Sequence, residues 1–401
     1  MDIYDVGIIG AGIAGSFATV NLANKDVKCI VIDSGKAPLK RRHQVHGWLG
    51  CFPAGDGKLY LNDLKDLSEV VGTRTTNSAF NNVKSLFKDI NQFDILDTKS
   101  PNNTFIKKIN KMGYELSTTP YIQTIPKEIH ALSKMMVKKL DSAKNIDYIF
   151  EEEIIDITKN KKIFNIQLED QEIKCRKIIL CIGRGGWRLA HRLYKKFGLV
   201  QENNIAKYGI RLETDAINLK ELNNSNCTII KKDQLELGPF SWGGTVIPED
   251  HCDCAITSFR SNEKRWESEK VSFNLIGHIP VNNDAVEQID RIAKLTFLIA
   301  NDRVVRERLA LLISKKSKLS IMKEYNWIHQ YLPELNEMFP NLMVKSYFYF
   351  PTIIPMVSKI NVNKNLESDL DGMYVAGESA GISGILGAAC SGVIAANNII
   401  K

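Results

Sequence analysis

The sequence predicts an α/β protein: a Rossmann-like nucleotide-binding domain, made of a parallel sheet and a β-meander, with an inserted α+β domain on a mostly antiparallel sheet. Three observations predict this class. An apolar strand runs into a G-x-G-x-x-G turn near the start of the 401-residue chain, and two later apolar strands also end in glycine-rich turns, at Gly183 and Gly377. Extended segments with alternating polarity lie between these two later turns, as expected for a second sheet.

The first glycine-rich turn predicts a dinucleotide site. Gly10 permits the tight strand-to-helix turn, Gly12 lets the backbone approach a pyrophosphate, and Gly15 lets the following helix lie close on the strand. The N-terminus of that helix presents N–H groups and a partial positive charge to phosphates. Asp33 ends the next strand, roughly twenty residues past the first glycine, where an acid is placed to hydrogen-bond a ribose hydroxyl.

A long irregular loop follows Asp33 and continues to Lys58. It is rich in Gly, Pro and Ala, and loops of this length inside a compact domain are usually functional or disordered. Because it also carries aromatic and apolar residues, we expect it to wrap a bound ligand, and an ordinary structural role for its histidines is the alternative. Its candidate donors are Arg41, Arg42, His43, His46 and Lys58.

Two further motifs each combine a buried strand, a glycine-rich turn and a helix. A strand that returns to the nucleotide-binding sheet would carry Gly183 close to the cofactor, and a helix over residues 187–197 follows, with Gly198 as its C-cap. A plain strand–helix turn is the alternative. The last strand ends before Glu378, and the helix after it is built from small residues that permit close approach to a sheet or a flat ligand. A helix packed for stability alone is the alternative there.

Together the three motifs resemble those of FAD-binding flavoproteins of the glutathione-reductase-like superfamily. The closer resemblance is to a group of largely uncharacterised bacterial FAD-dependent dehydrogenases, which share a glycine-rich loop ending in Asp-Gly-Lys-Leu, like residues 56–59. The resemblance implies non-covalent FAD, with Asp33 on the adenosine ribose, Glu378 on the ribitol, and the backbone of 384–386 near the flavin pyrimidine edge. The expected cofactor-binding residues are Gly10, Gly12, Ala14, Gly15, Asp33, Ser34, Arg42, Gly183, Gly377, Glu378, Gly384, Ile385 and Leu386.

Apolar periodicity predicts the remaining elements and two domains. The FAD-binding domain is expected over residues 1–60, 115–203 and 345–401, and a substrate or cap domain over residues 61–114 and 204–344. Helices are expected over residues 13–23, 63–71, 78–93, 100–112, 126–140, 187–197, 283–300, 301–314, 320–331 and 382–400. Strands are expected over residues 5–9, 27–32, 119–124, 146–150, 153–158, 163–168, 171–181, 208–213, 227–231, 244–247, 254–259 and 271–275.

A flavin carries out hydride chemistry itself, so the protein must supply position and charge. The catalytic candidates are Lys58, Arg184 and Arg211; His251, Cys252, Cys254 and Arg260 are further groups that could face a substrate. Cys252 and Cys254 could form a redox dithiol or ligate a metal, and buried structural thiols are the alternative. We predict no metal site. No second G-x-G-x-x-G turn exists for a nicotinamide cofactor, so either NADH or NADPH binds transiently as the reductant or the substrate itself reduces the flavin.

The expected activity is hydride transfer between a small or medium-sized organic substrate and flavin N5. The excess of Lys and Arg (53) over Asp and Glu (46) gives a net charge of +7, in short scattered clusters typical of solvated faces. An anionic substrate or a nucleic acid is therefore permitted. A flavoenzyme that modifies a nucleic acid is the alternative, because tRNA-modifying flavoproteins share a C-terminal segment resembling residues 376–396. A non-catalytic protein built on the same fold is a third hypothesis.

We expect a cytoplasmic protein that does not enter the membrane. The first strand begins almost directly after Met1, which leaves no room for a signal peptide, and no apolar run reaches the length of a membrane span. Most of the eight cysteines lie far apart, several of them inside apolar strands, which indicates reduced thiols rather than a disulfide framework. The sequence makes no prediction of the oligomeric state.

Overall fold

A computed structural model describes residues 3–40, 45–199, 205–250, 255–260, 269–281, 284–301, 303–354 and 359–401, with backbone alone for Asp250 and 255–260. The strands, numbered along the chain, are β1 Ile3–Ile9, β2 Cys29–Asp33, β3 Lys58–Tyr60, β4 Ile95–Leu96, β5 Glu115–Thr118, β6 Tyr121–Gln123, β7 Ile146–Phe150, β8 Asp156–Asn160, β9 Ile163–Gln167, β10 Glu172–Leu180, β11 Ile205–Asp215, β12 Thr228–Lys232, β13 Leu235–Leu237, β14 Ser241–Trp242, β15 Thr245–Asp250, β16 Ala255–Arg260, β17 Lys270–Pro280, β18 Val305–Arg308, β19 Tyr347–Ile353 and β20 Met373–Val375.

The α-helices are α1 Ile13–Leu22, α2 Asp63–Val71, α3 Thr73–Leu86, α4 Asn103–Lys111, α5 Pro126–Asp141, α6 Trp187–Phe197, α7 Ala285–Ile299, α8 Leu309–Ile313, α9 Ile328–Met338, α10 Leu342–Lys345 and α11 Ile385–Ile399. None of the helices in the described residues is both long enough and apolar enough to cross a membrane.

The chain divides into two compact units. Unit 1 comprises residues 1–94, 122–202 and 357–401, and unit 2 comprises residues 95–121 and 203–356. Residues 61–94, predicted to join the cap domain, lie in unit 1 because α2 and α3 pack on α11. Residues 345–356, predicted for the FAD-binding domain, lie in unit 2 because β19 pairs with β11. Residues 115–121 also lie in unit 2, where β5 pairs with β12.

Unit 1 is built on a sheet with the order β7-β2-β1-β10-β9-β8, in which β20 also pairs with β10. β7, β2, β1, β10 and β20 run parallel, and β9 and β8 turn back as the predicted meander. The central strands are apolar almost throughout, with Ile8 and Val31 fully buried, as expected for a parallel sheet covered on both faces.

Helices α1 and α11 make the closest helix contact of unit 1. A Cβ added to Gly392 of α11 would overlap the carbonyl oxygen of Ala14 in α1, so only glycine permits this approach. A Cβ on Gly15 would likewise overlap the carbonyl oxygen of Gly10. Both helices are apolar on nearly all sides, which is typical of helices buried in a core rather than lying on a surface.

Unit 2 is built on an antiparallel sheet with the order β18-β19-β11-β17-β13-β12-β5, in which β14 also pairs with β17. β11 and β17 pair along their whole length, from Ile205 opposite Pro280 to Asp215 opposite Lys270. One face carries the core, where Leu212, Phe273 and Phe348 are fully buried. Polar side chains alternate with these residues and form the other face.

Two predicted helices are wrong. Residues 301–314 were expected to be helical, but Val305–Arg308 form β18, which pairs with β19, and helix is restricted to Leu309–Ile313. Tertiary pairing overrides the local helical pattern there. Within the predicted helix 320–331 the chain instead forms two short 3-10 turns, and α9 begins at Ile328. The predicted helices 63–71 and 187–197 are present with the same ends, and the rest are present with shifted ends; α3, for example, begins at Thr73 rather than at residue 78.

We predict that Gly392→Ala lowers the free energy of unfolding by about 1–3 kcal/mol, the usual cost of overpacking a close contact. Denaturant unfolding of the ligand-free protein, followed by circular dichroism, measures it. Gly183→Ala is the control, because Gly183 has a φ of −84° and no atom lies within 4 Å of an added Cβ. An equal loss of stability in both variants would contradict the assignment of the α1–α11 contact.

Candidate cofactor site

The three glycine-rich turns come together at one edge of the unit 1 sheet. The amide of Cys181, just after β10, donates to the carbonyl oxygen of Ile9 at the end of β1 (2.8 Å). The amide of Ala376, just after β20, donates to the carbonyl oxygen of Leu180 (2.9 Å). Because these strands are parallel, their carboxyl ends lie side by side, which is where α/β sheets bind nucleotides.

The first turn has the geometry that its glycines predict. Gly10 has a φ of +95°, and a Cβ there would lie 2.7 Å from the carbonyl oxygen of Cys181. Gly12 is the N-cap of α1, and no side chain caps the helix there. The nearest atom to a Cβ on Gly12 is the Cα of Gly50, 4.0 Å away. The N-terminus of α1 therefore keeps open space beside its N–H groups, as a phosphate requires.

Asp33 bridges two loops through its carboxylate. Its Oδ2 accepts a hydrogen bond from the amide of Ala11 (2.6 Å), and its Oδ1 accepts one from the amide of Gly35 (2.6 Å). The side chain is half-buried at the end of β2. Each oxygen has a second lone pair, so the carboxylate can still accept bonds from a ribose.

The loop after Ser34 packs against the first two motifs. The amide of Leu49 donates to the carbonyl oxygen of Ala11 and to Oγ of Ser16, both at 3.0 Å. The side chains of Trp48 and Phe52 are at most 1 % exposed, so apolar burial holds residues 45–57 of this loop in place.

His46 lies between the first and second motifs. Its Nδ1 is 3.4 Å from Oγ of Ser34, and a Cβ added to Gly185 would lie 2.7 Å from its ring. The histidine thus packs on the glycine-rich turn of the second motif. From the sequence alone, His46 could be either a ligand donor or a structural partner.

The second motif contributes Gly183 and Arg184. Among the described residues, no atom lies within 4 Å of a Cβ added to Gly183, although its φ of −84° suits any residue. Arg184 pairs with Glu378 of the third motif: its Nε donates to Oε1 of Glu378 at 3.1 Å, and its Nη2 lies 3.1 Å from the same oxygen. Two residues predicted for different roles, catalysis and ribitol binding, are therefore joined in one ion pair.

The third motif is held from both sides. The amide of Gly377 donates to Oγ of Ser391 in α11 (2.9 Å), and Oγ of Ser379 donates to the carbonyl oxygen of Ile182 (2.8 Å). A Cβ on Gly377 would lie 3.6 Å from the Cβ of Ala14, which is itself buried. These contacts place the turn beside the start of α1.

Sequence reasoning missed Asp63, which lies at the N-terminus of α11. Its Oδ2 accepts a hydrogen bond from the amide of Leu386 (3.3 Å), so this N–H is bonded within the chain. A Cβ on Gly384, the N-cap of α11, would overlap the Asp63 carboxyl group. Burial raises the pKa of Asp63 to about 7; the amide of Leu386 opposes this rise, and the charge of Asp66 adds to it. Only the fold brings residues so distant in sequence together.

Lys58, in β3, is 4 % exposed and lies 3.1 Å from Oδ2 of Asp56. The preceding Gly57 has no room for a Cβ beside Thr124, whose amide and hydroxyl both bond its carbonyl oxygen. Lys58 is therefore a buried residue of unit 1 that forms an ion pair with Asp56.

Arg211 lies in unit 2, on the polar side of β11. It is 9 % exposed, and its Nη1 donates to Oγ of Ser272 in β17 (3.0 Å). Glu213, two residues along the same strand, accepts bonds from the hydroxyl of Tyr349 (3.0 Å) and from Nη2 of Arg306 (3.2 Å). The pairing of β11 with β19 shifts register between Gly209 and Arg211, an irregularity often found near functional sites.

Several candidates lie outside the described residues, namely Arg41, Arg42, His43, His251, Cys252 and Cys254. Arg260 is described by its backbone alone, at the end of β16. The described cysteines carry free thiols, and all of them except Cys51 are buried. Burial raises the pKa of the Cys390 thiol to about 12, so this group stays protonated near neutral pH.

The glycine turns, the acid after β2 and the helix N-terminus beside open space define an FAD-dependent oxidoreductase. The particular family follows from a comparison with family models. The model of the family "Glucose inhibited division protein A" matches residues 5–245, which is more than half of the chain, and the chain belongs to that family. A search of curated proteins found no match.

Solved structures with a related fold include two glycine oxidases and a glycerophosphate oxidase. Glycine oxidase from Geobacillus kaustophilus is 11 % identical, with 100 % of this chain and 95 % of that chain covered and a TM-score of 0.44. Glycine oxidase from Bacillus cereus is 13 % identical, with 99 % and 95 % covered and a TM-score of 0.45. L-alpha-glycerophosphate oxidase from Mycoplasma pneumoniae, with FAD bound, is 10 % identical, with 100 % and 96 % covered and a TM-score of 0.44.

We predict that Gly183→Ala weakens FAD binding at least tenfold, which corresponds to about 1.4 kcal/mol. The added methyl group would project into space that no protein atom fills. Titration of the stripped protein with FAD, followed by flavin fluorescence, measures the change. Lys196→Ala is the control, because Lys196 lies on α6 and forms an exposed ion pair with Asp156. Unchanged affinity in Gly183→Ala would contradict a close approach of FAD to this turn.

Proposed function

We propose that this flavoprotein transfers a hydride between a small organic acid and flavin N5. The observation that carries the proposal is the meeting of the turns at Gly12, Gly183 and Gly377 at one sheet edge, beside open space at the first two. A site of this length suits a cofactor that extends from adenosine through a pyrophosphate to a flavin. Bound FAD supplies the electron-accepting group, and the chain supplies position and charge.

Each part of the site has a role in the proposal. The N-terminus of α1 and Gly12 hold the pyrophosphate, and Asp33 holds the adenosine ribose. Glu378, oriented by Arg184, holds the ribitol, and the start of α11 lies toward the flavin. Lys58 acts from within unit 1 as a buried cation whose charge is balanced by Asp56. Ala14 and Gly377 support these groups by close packing rather than by polar contact.

The polar face of unit 2 supports an acidic substrate. We define this face as Arg211, Glu213, Ser272, Asn274 and Tyr349, which the strand register brings together on one side of the sheet. Arg211 carries a buried positive charge and bonds a neutral hydroxyl, and a guanidinium matches a carboxylate through two parallel hydrogen bonds.

Asn274 favours a second chemical group on the substrate, namely a hydrogen-bond donor. It lies directly opposite Arg211 in the β11–β17 register. Its Oδ1 is buried, and within the described residues it has no hydrogen-bond partner. A buried acceptor without a partner is costly, so it favours a ligand that donates a hydrogen bond. A carboxylate beside an amino or hydroxyl group satisfies both Arg211 and Asn274, which defines amino acids and hydroxy acids as the substrate class.

Anaerobic reduction of the bound flavin tests the proposed function. The reductants to be compared are amino acids, hydroxy acids, the matching amines and alcohols without a carboxylate, nucleosides, NADH and NADPH. The loss of flavin absorbance measures reduction by each of them. We expect an acid to reduce the flavin and its counterpart without the carboxylate to fail. Reduction by a nicotinamide alone would replace the proposal with a reductase. Salt-dependent tRNA binding without reduction by any acid would favour the nucleic-acid alternative.

We predict that Arg211→Met raises KM for the acid roughly 30- to 5,000-fold, because loss of one partner of a buried charge pair costs about 2–5 kcal/mol. Steady-state kinetics with the best acid from the panel measures it. Arg306→Met is the matched control, since Arg306 is an exposed arginine on β18, two strands from β11 in the same sheet, and its partner is Glu213. An equal rise of KM in both variants would remove Arg211 from substrate recognition.

A further inference from the structure

The N-termini of two helices meet at a single carboxyl group, that of Asp63. The residue is the first of α2, and its Oδ2 accepts a hydrogen bond from Leu386 in the first turn of α11. Its side chain lies where a Cβ of Gly384 would otherwise be, and the residue is 9 % exposed. Both helix ends favour a negative charge there, while burial disfavours it.

The groups around Asp63 do not neutralise it. Asp66 lies one turn along α2, and its carboxylate accepts a hydrogen bond from the hydroxyl of Ser383 (3.2 Å). The negative charges of Asp66 and Glu378 both raise the pKa of Asp63. Cys390 faces it from α11 and stays a thiol near neutral pH. Lys58 and Arg184, the predicted cations of unit 1, pair with Asp56 and Glu378. Within the described residues, no cation pairs with Asp63.

We propose that Asp63 holds a proton whose uptake is coupled to the reduction of bound FAD. The inference rests on the proposed function, which places the flavin toward the start of α11. A charge gained by the flavin and the charge of Asp63 would share the same helix N-terminus. Because like charges at short range disfavour each other in a buried site, a negative flavin makes the neutral form of Asp63 more favourable.

The electrons and protons of this step balance as follows. Reduction delivers two electrons and one proton to the flavin from the reductant and solvent. The ionised Asp63 then takes a second proton from solvent, and the bond formed on the protein is its carboxyl O–H. On reoxidation the two electrons pass to an acceptor such as molecular oxygen, and the proton on the flavin and the proton on Asp63 are both released. No other group on the chain is oxidised or reduced.

The pH window follows from the pKa of Asp63, which burial raises to about 7. Below that pH the carboxyl group is neutral with oxidised and reduced flavin alike, so Asp63 adds nothing to the pH dependence. Above it the group is ionised beside the oxidised flavin and takes up a proton on reduction. The extra proton changes the reduction equilibrium tenfold per pH unit, which is about 30 mV for a two-electron couple.

The test is the midpoint potential of the FAD-loaded protein between pH 5.5 and 9, measured by stepwise anaerobic reduction with dithionite beside an indicator dye. We expect the plot of midpoint potential against pH to steepen above about pH 7 in the wild type and to keep one slope in Asp63→Asn. The two plots meet at low pH, and Asp63→Asn has the more positive potential at high pH. Asp66→Asn is the matched control: it should keep a break, displaced to lower pH because the charge of Asp66 helps to raise the pKa of Asp63.

Three results would overturn the inference: a wild-type curve without a break, parallel curves for wild type and Asp63→Asn, or loss of the break in Asp66→Asn alone. Should Asp63→Asn fail to hold FAD, the reduced-minus-oxidised infrared spectrum of the wild type at pH 8 decides. A new protonated-carboxyl band supports the inference, and its absence overturns it. If dithionite reduces the protein but no acid of the panel does, the proposed function is contradicted, whereas the measured dependence of the midpoint potential on pH still tests the role of Asp63.

Discussion

The close crossing of α1 and α11 is the contact on which unit 1 depends. Gly392 lets the last helix approach the backbone of Ala14 until no side chain fits between them. That approach brings the turn at Gly377 beside the start of α1, and both stand at the carboxyl end of the same sheet. The FAD site that we propose is therefore assembled from both ends of the sequence. Small residues permit the close approach of the two helices, and the parallel strands bring the glycine-rich turns to the same edge of the sheet.

Charge in this site is arranged around helix N-termini rather than around free side-chain cations. The start of α1 stays open toward a phosphate, while the start of α11 already holds the Asp63 carboxyl group. Among the predicted cations, Lys58 and Arg184 have carboxylate partners, and Arg211 lies in unit 2. In unit 1 the proposed FAD site thus consists of backbone dipoles and balanced ion pairs. The buried guanidinium of Arg211, which we propose to bind an acid, belongs to unit 2.

How much of this could be predicted from sequence depends on how local each feature is. The turn at Gly10 and the strand ending in Asp33 form within one continuous segment, so spacing alone indicates them. The Arg184–Glu378 pair and the Asp63–Leu386 bond join residues far apart in the chain, and no periodicity encodes such pairings. The same reason explains the wrong helix at Val305–Arg308, where pairing with β19 decides between helix and strand.

The family match indicates FAD, and we propose that three separate segments of the chain hold it. Hydrogen–deuterium exchange of the backbone amides, with and without FAD, tests this proposal. We expect added protection in three segments together: residues 10–15, 183–186 and 377–386. We expect a smaller change at Leu386, whose amide is already bonded to Asp63. Protection confined to residues 10–15 would contradict an FAD site built from both ends of the chain.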